Sequence, residues 1–187
     1  ASPFSYTKVE AKKNIYISKA VKHRIPVITA NQTGANTELI FDGASLIING
    51  DGKIYRQLGY FEERLETFSL EEVISGRIPM QNPVPGPVSL VHKALITGIR
   101  DYFAKTGFKK CILGLSGGID SAVCICLAKE ALGRENVRAL LLPSRYSSEH
   151  SVTDSVSLAK NIGVDYDIIS ERAGAPARHE IALAVRQ

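Results

Sequence analysis

Between residues 111 and 121 a short apolar run, Cys-Ile-Leu-Gly-Leu, passes into Ser116-Gly117-Gly118-Ile119-Asp120-Ser121 and then into a helical pattern. This junction constrains the fold more than any other stretch. A run of this length is a buried strand, the paired glycines permit a tight turn, and the residues after them predict a helix from about Ile119 to Leu132, closed by Gly133. The pattern then repeats. Residues 138–142 (Arg-Ala-Leu-Leu-Leu) form a second strand, 143–148 a loop, 148–161 a helix closed by Gly163, and 165–170 a third strand. Strand, helix, strand, helix, strand with short connections specifies a parallel sheet and an α/β fold. Ahead of it, residues 88–105 predict an amphipathic helix carrying Leu90, Val91, Leu95 and Ile99, with Gly107 as its stop.

The first sixty residues have another rhythm. Residues 8–24 predict a helix with Val9, Ile15, Ala20 and Val21 on its inner stripe and lysines on the wet side, ended by Pro26. Val27 to Ala30 reads as a short buried strand. Residues 38–49 hold two β-rich stretches around a turn at Asp42-Gly43. Asn49-Gly50-Asp51-Gly52 signals a hairpin whose return strand is Lys53 to Leu58. Residues 61–90 carry Pro79, Pro83, Pro85 and Pro87 and read as an irregular connection. The expected organisation is a first domain over 1–62, a linker over 63–87, a second domain over 88–170 and an unassigned tail over 171–187.

Composition narrows the function. The chain has 187 residues, 44% hydrophobic and 22% charged, an ordinary globular balance. The net charge of +4 is spread out, and aromatic residues do not interleave with basic ones, so nucleic-acid binding is not expected. No apolar run is long enough to span a membrane. Three cysteines, Cys111, Cys124 and Cys126, read as buried thiols in a reducing, cytoplasmic setting rather than as disulfides or metal ligands.

Chemistry concentrates in the 114–121 loop. Two residues without Cβ let backbone N–H groups approach a ligand closely. The helix that starts there adds unpaired N–H groups and its positive dipole end, an arrangement that binds phosphate. Ser116 and Ser121 supply hydroxyl donors, and Asp120 is a carboxylate in a place otherwise suited to anions, which a bridging Mg²⁺ would explain. The bland alternative is a tight strand-to-helix turn with Ser116 as N-cap and Asp120 favouring the dipole. There is no Gly-Lys-Ser/Thr, so this is not a Walker loop, and no Gly-x-Gly-x-x-Gly.

The loop resembles the Ser-Gly-Gly-x-Asp-Ser element of the ATP pyrophosphatases. Together with Leu142-Pro-Ser-Arg-Tyr-Ser-Ser148, Glu149-His-Ser151 and Asp154, it resembles the glutamine-dependent NAD synthetases. Ala1-Ser-Pro-Phe-Ser-Tyr-Thr-Lys8, Asn31-Gln-Thr-Gly34 and Glu38-Leu-Ile-Phe-Asp-Gly-Ala-Ser45 resemble the late part of the nitrilase-type glutaminase domain that comes first in those enzymes. The likeness covers roughly residues 1–170 and fades after Ile169.

The resemblance implies the end of a nitrilase-like α-β-β-α sandwich, and after it the start of a parallel-sheet, adenine-nucleotide-hydrolase-like (Rossmann-like) domain. It implies a C–N ligase that amidates nicotinic acid adenine dinucleotide to NAD, with ATP and Mg²⁺ and with ammonia from glutamine. Gly114, Leu115, Ser116, Gly117, Gly118, Ile119, Asp120 and Ser121 would bind ATP, Asp120 would hold Mg²⁺, and Ser2 and Lys8 would bind glutamine. Ser144, Arg145, Tyr146, Ser147 and Ser148 would form a substrate loop. The full-length enzyme would be a homo-oligomer. No cysteine present lies in the context of a glutaminase nucleophile, so the chain is expected to be a fragment, inactive alone. Two rival readings are another amidotransferase of this nucleotide fold, of the GMP synthetase type, and an inactive nucleotide-binding remnant.

Overall fold

The computed structural model describes residues 1–76, 84–143 and 149–169. The chain divides into two compact units, Ala1–Tyr102 and Phe103–Gln187.

In the first unit, α1 (Val9–His23) ends with Arg24 in the left-handed conformation (φ 52°) ahead of Pro26. The helix meets the sheet differently from the sequence expectation. Val9, Lys13 and Ala20 are buried, whereas Ile15 and Val21 are 57% and 50% exposed. Positions four residues apart share a face, so burying Val9 turns Lys13 inward with it. Lys13 keeps its charge partnered by reaching back to Glu10 at 3.1 Å, and Lys12 turns to Asp42.

Strands β1 (Val27–Ile28), β4 (Leu46–Ile48) and β5 (Ile54–Gln57) form an antiparallel sheet in the order β1-β4-β5. Central β4 is buried on both faces. Leu46 and Ile48 pack with Ala20 of α1, and Ile47 packs with Tyr55 and Val73. The β4–β5 hairpin turns where expected: the Asn49 side-chain oxygen accepts from the Asp51 and Lys53 amides at 3.1 and 2.8 Å, and Gly52 takes φ +83°.

A second antiparallel pair joins β2 (Thr33–Asn36) to β3 (Leu39–Asp42). Strand β2 is not expected from sequence, because Thr-Gly-Ala-Asn is turn chemistry; its hairpin partner makes it a strand. Asp42 ends β3 as a paired residue rather than forming a free turn. Val73 belongs to α2 (Leu70–Ser75) and is fully buried, so part of the proline-rich connection is helical. Helix α3 (Pro87–Thr106) comes next, and the boundary between the units falls within it.

The second unit has the expected parallel sheet. Strands β6 (Cys111–Gly114), β7 (Val137–Leu141) and β8 (Asp165–Ile168) lie in that order. Helices α4 (Ile119–Leu132) and α5 (Glu149–Ile162) connect them. Leu115, Ile125, Ala128, Val137, Ala139, Leu141, Ala159 and Val164 form one core, so both helices cover the same sheet face. On the other face Arg138 bridges to Asp167 at 2.6 and 3.1 Å. Both groups are about one-third exposed, so this pair contributes less than about 1 kcal/mol.

Ile125 is completely buried at the centre of that core. Ile125→Ala is expected to cost about 2–5 kcal/mol, read as a lower urea midpoint at unchanged slope.

The cysteines depart from expectation. Cys124 and Cys126 are exposed and Cys111 is half-buried. Helix α4 is apolar nearly all round, but only the side bearing Ile125 and Ala128 meets the sheet. Burial pushes the Cys111 thiol above its usual range by disfavouring the thiolate. Alkylation at neutral pH is therefore expected to label Cys124 and Cys126 first and Cys111 last, a sequence of modification that mass spectrometry resolves.

Candidate functional site

Strand β6 ends at Gly114, and Leu115 anchors the start of the loop. Its side chain is 4% exposed and its amide donates to the Leu140 carbonyl at 2.8 Å. The chain then leaves the core, and Ser116, Gly117, Gly118, Ile119 and Asp120 are all exposed. Gly118 is the N-cap of α4, with extended backbone and no side-chain cap. Ser116 is therefore not the cap that a plain strand-to-helix turn would require.

Helix α4 makes its first backbone bond from the Ala122 amide to the Gly118 carbonyl at 3.1 Å. Helix geometry leaves the N–H groups of Ile119, Asp120 and Ser121 without intrahelical acceptors. The two serines stitch the loop closed across its base. The Ser121 hydroxyl donates to the Gly118 carbonyl at 3.0 Å, accepts from the Ser116 amide at 3.2 Å and meets the Ser116 hydroxyl at 3.1 Å.

Beside the loop is a cavity of about 250 Å³. The end of β6 (Gly114, Leu115, Ser116), the end of β7 (Leu140 to Pro143) and the first turns of α5 (Ser151, Val152, Ser155) enclose it. A crevice beyond the carboxyl ends of parallel strands is where α/β sheets bind ligands. Leucine side chains and Pro143 give it an apolar wall, the glycine loop a polar one.

Gly117 lies against α5. It takes φ +82°, and a Cβ there would fall 2.6 Å from the Ser151 carbonyl oxygen. Ser155, which no sequence motif singles out, is 2% exposed and donates to the Ser151 carbonyl at 2.8 Å. Its place among the apolar residues of α5 is its only signal in the sequence.

Asp120 projects from the first turn of α4 and is exposed. No group of three or more His, Cys, Asp or Glu able to hold a metal occurs among the described residues. A resident metal cage is thus not built here. Magnesium, however, takes one or two carboxylates and fills its shell with water and substrate phosphate oxygens. One carboxylate beside a phosphate-type loop fits an ion that arrives with a nucleotide. The expected substrate loop, Ser144, Arg145, Tyr146, Ser147 and Ser148, lies outside the described residues, as does the tail from 171.

In the first unit Ser2 and Lys8 come together. Both line a cavity of about 310 Å³ that also receives Ser5, Lys12, Tyr16 and Asp42. Lys8 is exposed just ahead of α1, its amide donating to the Ser5 carbonyl at 2.9 Å. Ser2 is half-buried. Lys12 and Asp42 were not foreseen as lining groups; inside a helix and beside a glycine they look like a solvated lysine and a turn.

A parallel sheet whose first strand runs through a glycine loop into a bare helix N-terminus, with a crevice alongside, defines an α/β domain of the nucleotide-binding type. Residues 91–175 match the NAD synthase family model. Across 90% of its length the chain is 42% identical to a glutamine-dependent NAD(+) synthetase of Synechocystis sp.. It is 34% identical to one of Thermotoga maritima over the same share. It spans 31% and 35% of those two relatives, about a third of their length. A glutamine-dependent NAD+ synthetase of Acinetobacter baumannii, solved with ADP, superposes on 99% of the chain with TM-score 0.87 at 28% identity, 40% of that structure being covered. One from Cytophaga hutchinsonii shares the fold, with TM-score 0.75 at 19% identity over 91% of the chain.

Proposed function

We propose that this chain supplies the ATP-binding start of an AMP-forming NAD synthetase domain, preceded by the last part of a glutaminase domain. The observation that supports it most is the exposed loop Ser116 to Ser121 at the N-terminus of α4, opening beside the cavity at the sheet's carboxyl edge. The proposed domain limits are 1–62 for the nitrilase-like portion and 88–170 for the synthetase portion, joined by 63–87.

In this reading ATP lies with its polyphosphate over the loop. The amides of Ile119, Asp120 and Ser121 and the dipole of α4 receive the phosphate oxygens. Ser116 and Ser121 brace the base of the loop, and their hydroxyls would turn from each other and from the Gly118 carbonyl to donate to phosphate oxygens. The leucine wall of the cavity takes the flat apolar face of the base. Asp120 would hold a Mg²⁺ ion, whose charge offsets that building on the departing pyrophosphate. The carboxylate of nicotinic acid adenine dinucleotide attacks the α-phosphorus, pyrophosphate leaves, and ammonia then displaces AMP to give the amide. Activation is required because a free carboxylate offers no adequate leaving group. The loop's amides stabilise charge where it develops, which is where catalytic donors act most strongly.

Ser2 and Lys8 line the place where glutamine would sit, a lysine ammonium answering its carboxylate. The full-length enzyme is proposed to act as a cytoplasmic homo-oligomer. Among the described residues no helix is long and apolar enough to cross a membrane.

Calorimetry with Mg-ATP tests the reading. The 187-residue chain is expected to bind Mg-ATP without forming AMP. Asp120→Ala is expected to weaken Mg-ATP more than ATP in chelator, by about tenfold for one lost charged contact. Equal affinity of parent and variant for Mg-ATP would remove Asp120 from the site.

A further inference from the structure

Ser2 is held by a side chain rather than by a strand ladder. The Asn31 amide pairs with it at two points: its Oδ1 accepts from the Ser2 amide at 2.7 Å, and its Nδ2 donates to the Ser2 carbonyl at 3.2 Å. The remaining N–H of the same Nδ2 donates to Asp42 Oδ1 at 2.7 Å. Asp42 is 1% exposed, and both its oxygens also accept from Lys12 Nζ at 3.0 Å.

We propose that Asn31 and Asp42 are positioning residues that set Ser2 against the Lys8 cavity; this rests on the reading of Ser2 as a glutamine contact. The chemistry of the amide carries the argument. A primary amide has one acceptor end and one donor end, and the two orientations occupy the same volume. Only one orientation matches Ser2, with the carbonyl toward its N–H. The carboxylate of Asp42 selects that orientation, because a carbonyl turned toward it would meet another acceptor. Lys12 holds the carboxylate square to the amide by engaging both oxygens.

Neighbouring backbone contacts keep the segment alongside β3. Pro3 pairs with Phe41, and the Phe4 amide donates to the Ile40 carbonyl at 2.7 Å. The backbone N–H of Asn31 donates to Ser45 Oγ at 2.9 Å, which fixes the main chain that carries this side chain. These contacts locate the strand, while Asn31 alone among the described residues grips both backbone groups of Ser2. The side chain of Ser2 then faces the cavity shared with Lys8 in one fixed way, which an amino-acid ligand needs for simultaneous contacts at its head group and its carboxylate.

The test uses the 187-residue chain and its Asn31→Ala, Asp42→Asn and doubly substituted forms. Hydrogen exchange at the Ser2 amide is compared with that at the core amides of Ala20 and Ile48. Each single substitution is expected to speed Ser2 exchange about tenfold beyond any change at the core amides, which report loss of global stability; tenfold is the size of one lost hydrogen bond. The double form is expected to match Asn31→Ala alone, since Asp42 acts through Asn31. Unchanged Ser2 exchange in Asn31→Ala, or additive effects in the double form, overturns the proposal. Titration with L-glutamine, read from the Ser2 and Lys8 resonances, separates the two readings. Absence of shifts in the parent chain defeats the glutamine assignment, while Ser2 exchange still decides the positioning. If the parent binds, Asp42→Asn is expected to weaken glutamine about tenfold, and equal affinity with a loosened Ser2 overturns the positioning role.

Discussion

Gly117→Ala is expected to lower Mg-ATP affinity by at least about 30-fold, the equivalent of about 2 kcal/mol. Two effects act together. Gly117 takes φ +82°, a conformation that costs an L-residue roughly 1–2 kcal/mol. The new Cβ would also lie 2.6 Å from the Ser151 carbonyl oxygen and 2.7 Å from its Cα. Both are backbone atoms that cannot swing aside, so the loop must lift from α5, and overpacking of this kind costs roughly 1–3 kcal/mol. Because the loop amides point where the loop places them, lifting it spoils the cradle. Gly118→Ala is the control. Gly118 has φ −85°, and its added Cβ would meet only the Ser116 hydroxyl oxygen at 3.5 Å. It is expected to leave the loop in place, so its effect on affinity reports the approach of the ligand alone. Isothermal titration of both variants, with circular dichroism to verify the fold, makes the comparison. Binding by Gly117→Ala within about threefold of the parent would show that the loop does not hold the phosphates.

This loop and its sheet were legible because each local signal agreed with the others. Short apolar runs, glycine stops and helical periodicity specified β6, α4, β7, α5 and β8 to within a residue or two. The family resemblance added what periodicity cannot, and the matches to NAD synthetases bear it out. Where local signals misled, a partner distant in sequence had decided the matter. Strand β2 is built from turn residues and exists because β3 pairs with it. Helix α2 lies in the stretch read as an irregular connection, ahead of its prolines, and Val73 finds a buried place beside Ile47 and Tyr55. The cysteines of α4 looked buried because the helix is apolar on all sides, and composition does not say which side meets the sheet.

The cavity of the first unit shows the same limit at a functional position. Ser2 and Lys8 were assigned through resemblance, and the structure places both on one cavity. Nothing local marks Lys12 as inward-facing. Its direction is set by a buried carboxylate on β3, thirty residues away in sequence. A lysine on a helix with several lysines reads as solvent-facing until its partner is known.

That partner carries the second large prediction. Asp42→Ala is expected to destabilise the chain by roughly 3–5 kcal/mol, because removing one member of a buried pair leaves the other charge uncompensated. The value should fall toward the lower end, since Lys12 keeps a fifth of its side chain in water and can turn outward. Asp42 is also the acceptor for Asn31, so its loss leaves an amide donor without its partner. Two further variants separate charge from packing. Asp42→Asn preserves volume and one acceptor, and is expected to cost less than the alanine variant. The double variant Lys12→Met, Asp42→Leu removes both charges and refills the space. It is expected to recover most of the stability lost in Asp42→Ala, as apolar replacements of buried ion pairs commonly do. It is not expected to restore the slow exchange of the Ser2 amide, because leucine cannot orient the Asn31 amide. Urea unfolding gives the stabilities and hydrogen exchange gives the local effect. Recovered stability with a loosened Ser2 would mean that the pair is kept for the geometry of the cavity. An Asp42→Ala chain within about 1 kcal/mol of the parent would instead place the carboxylate among surface ion pairs of small effect.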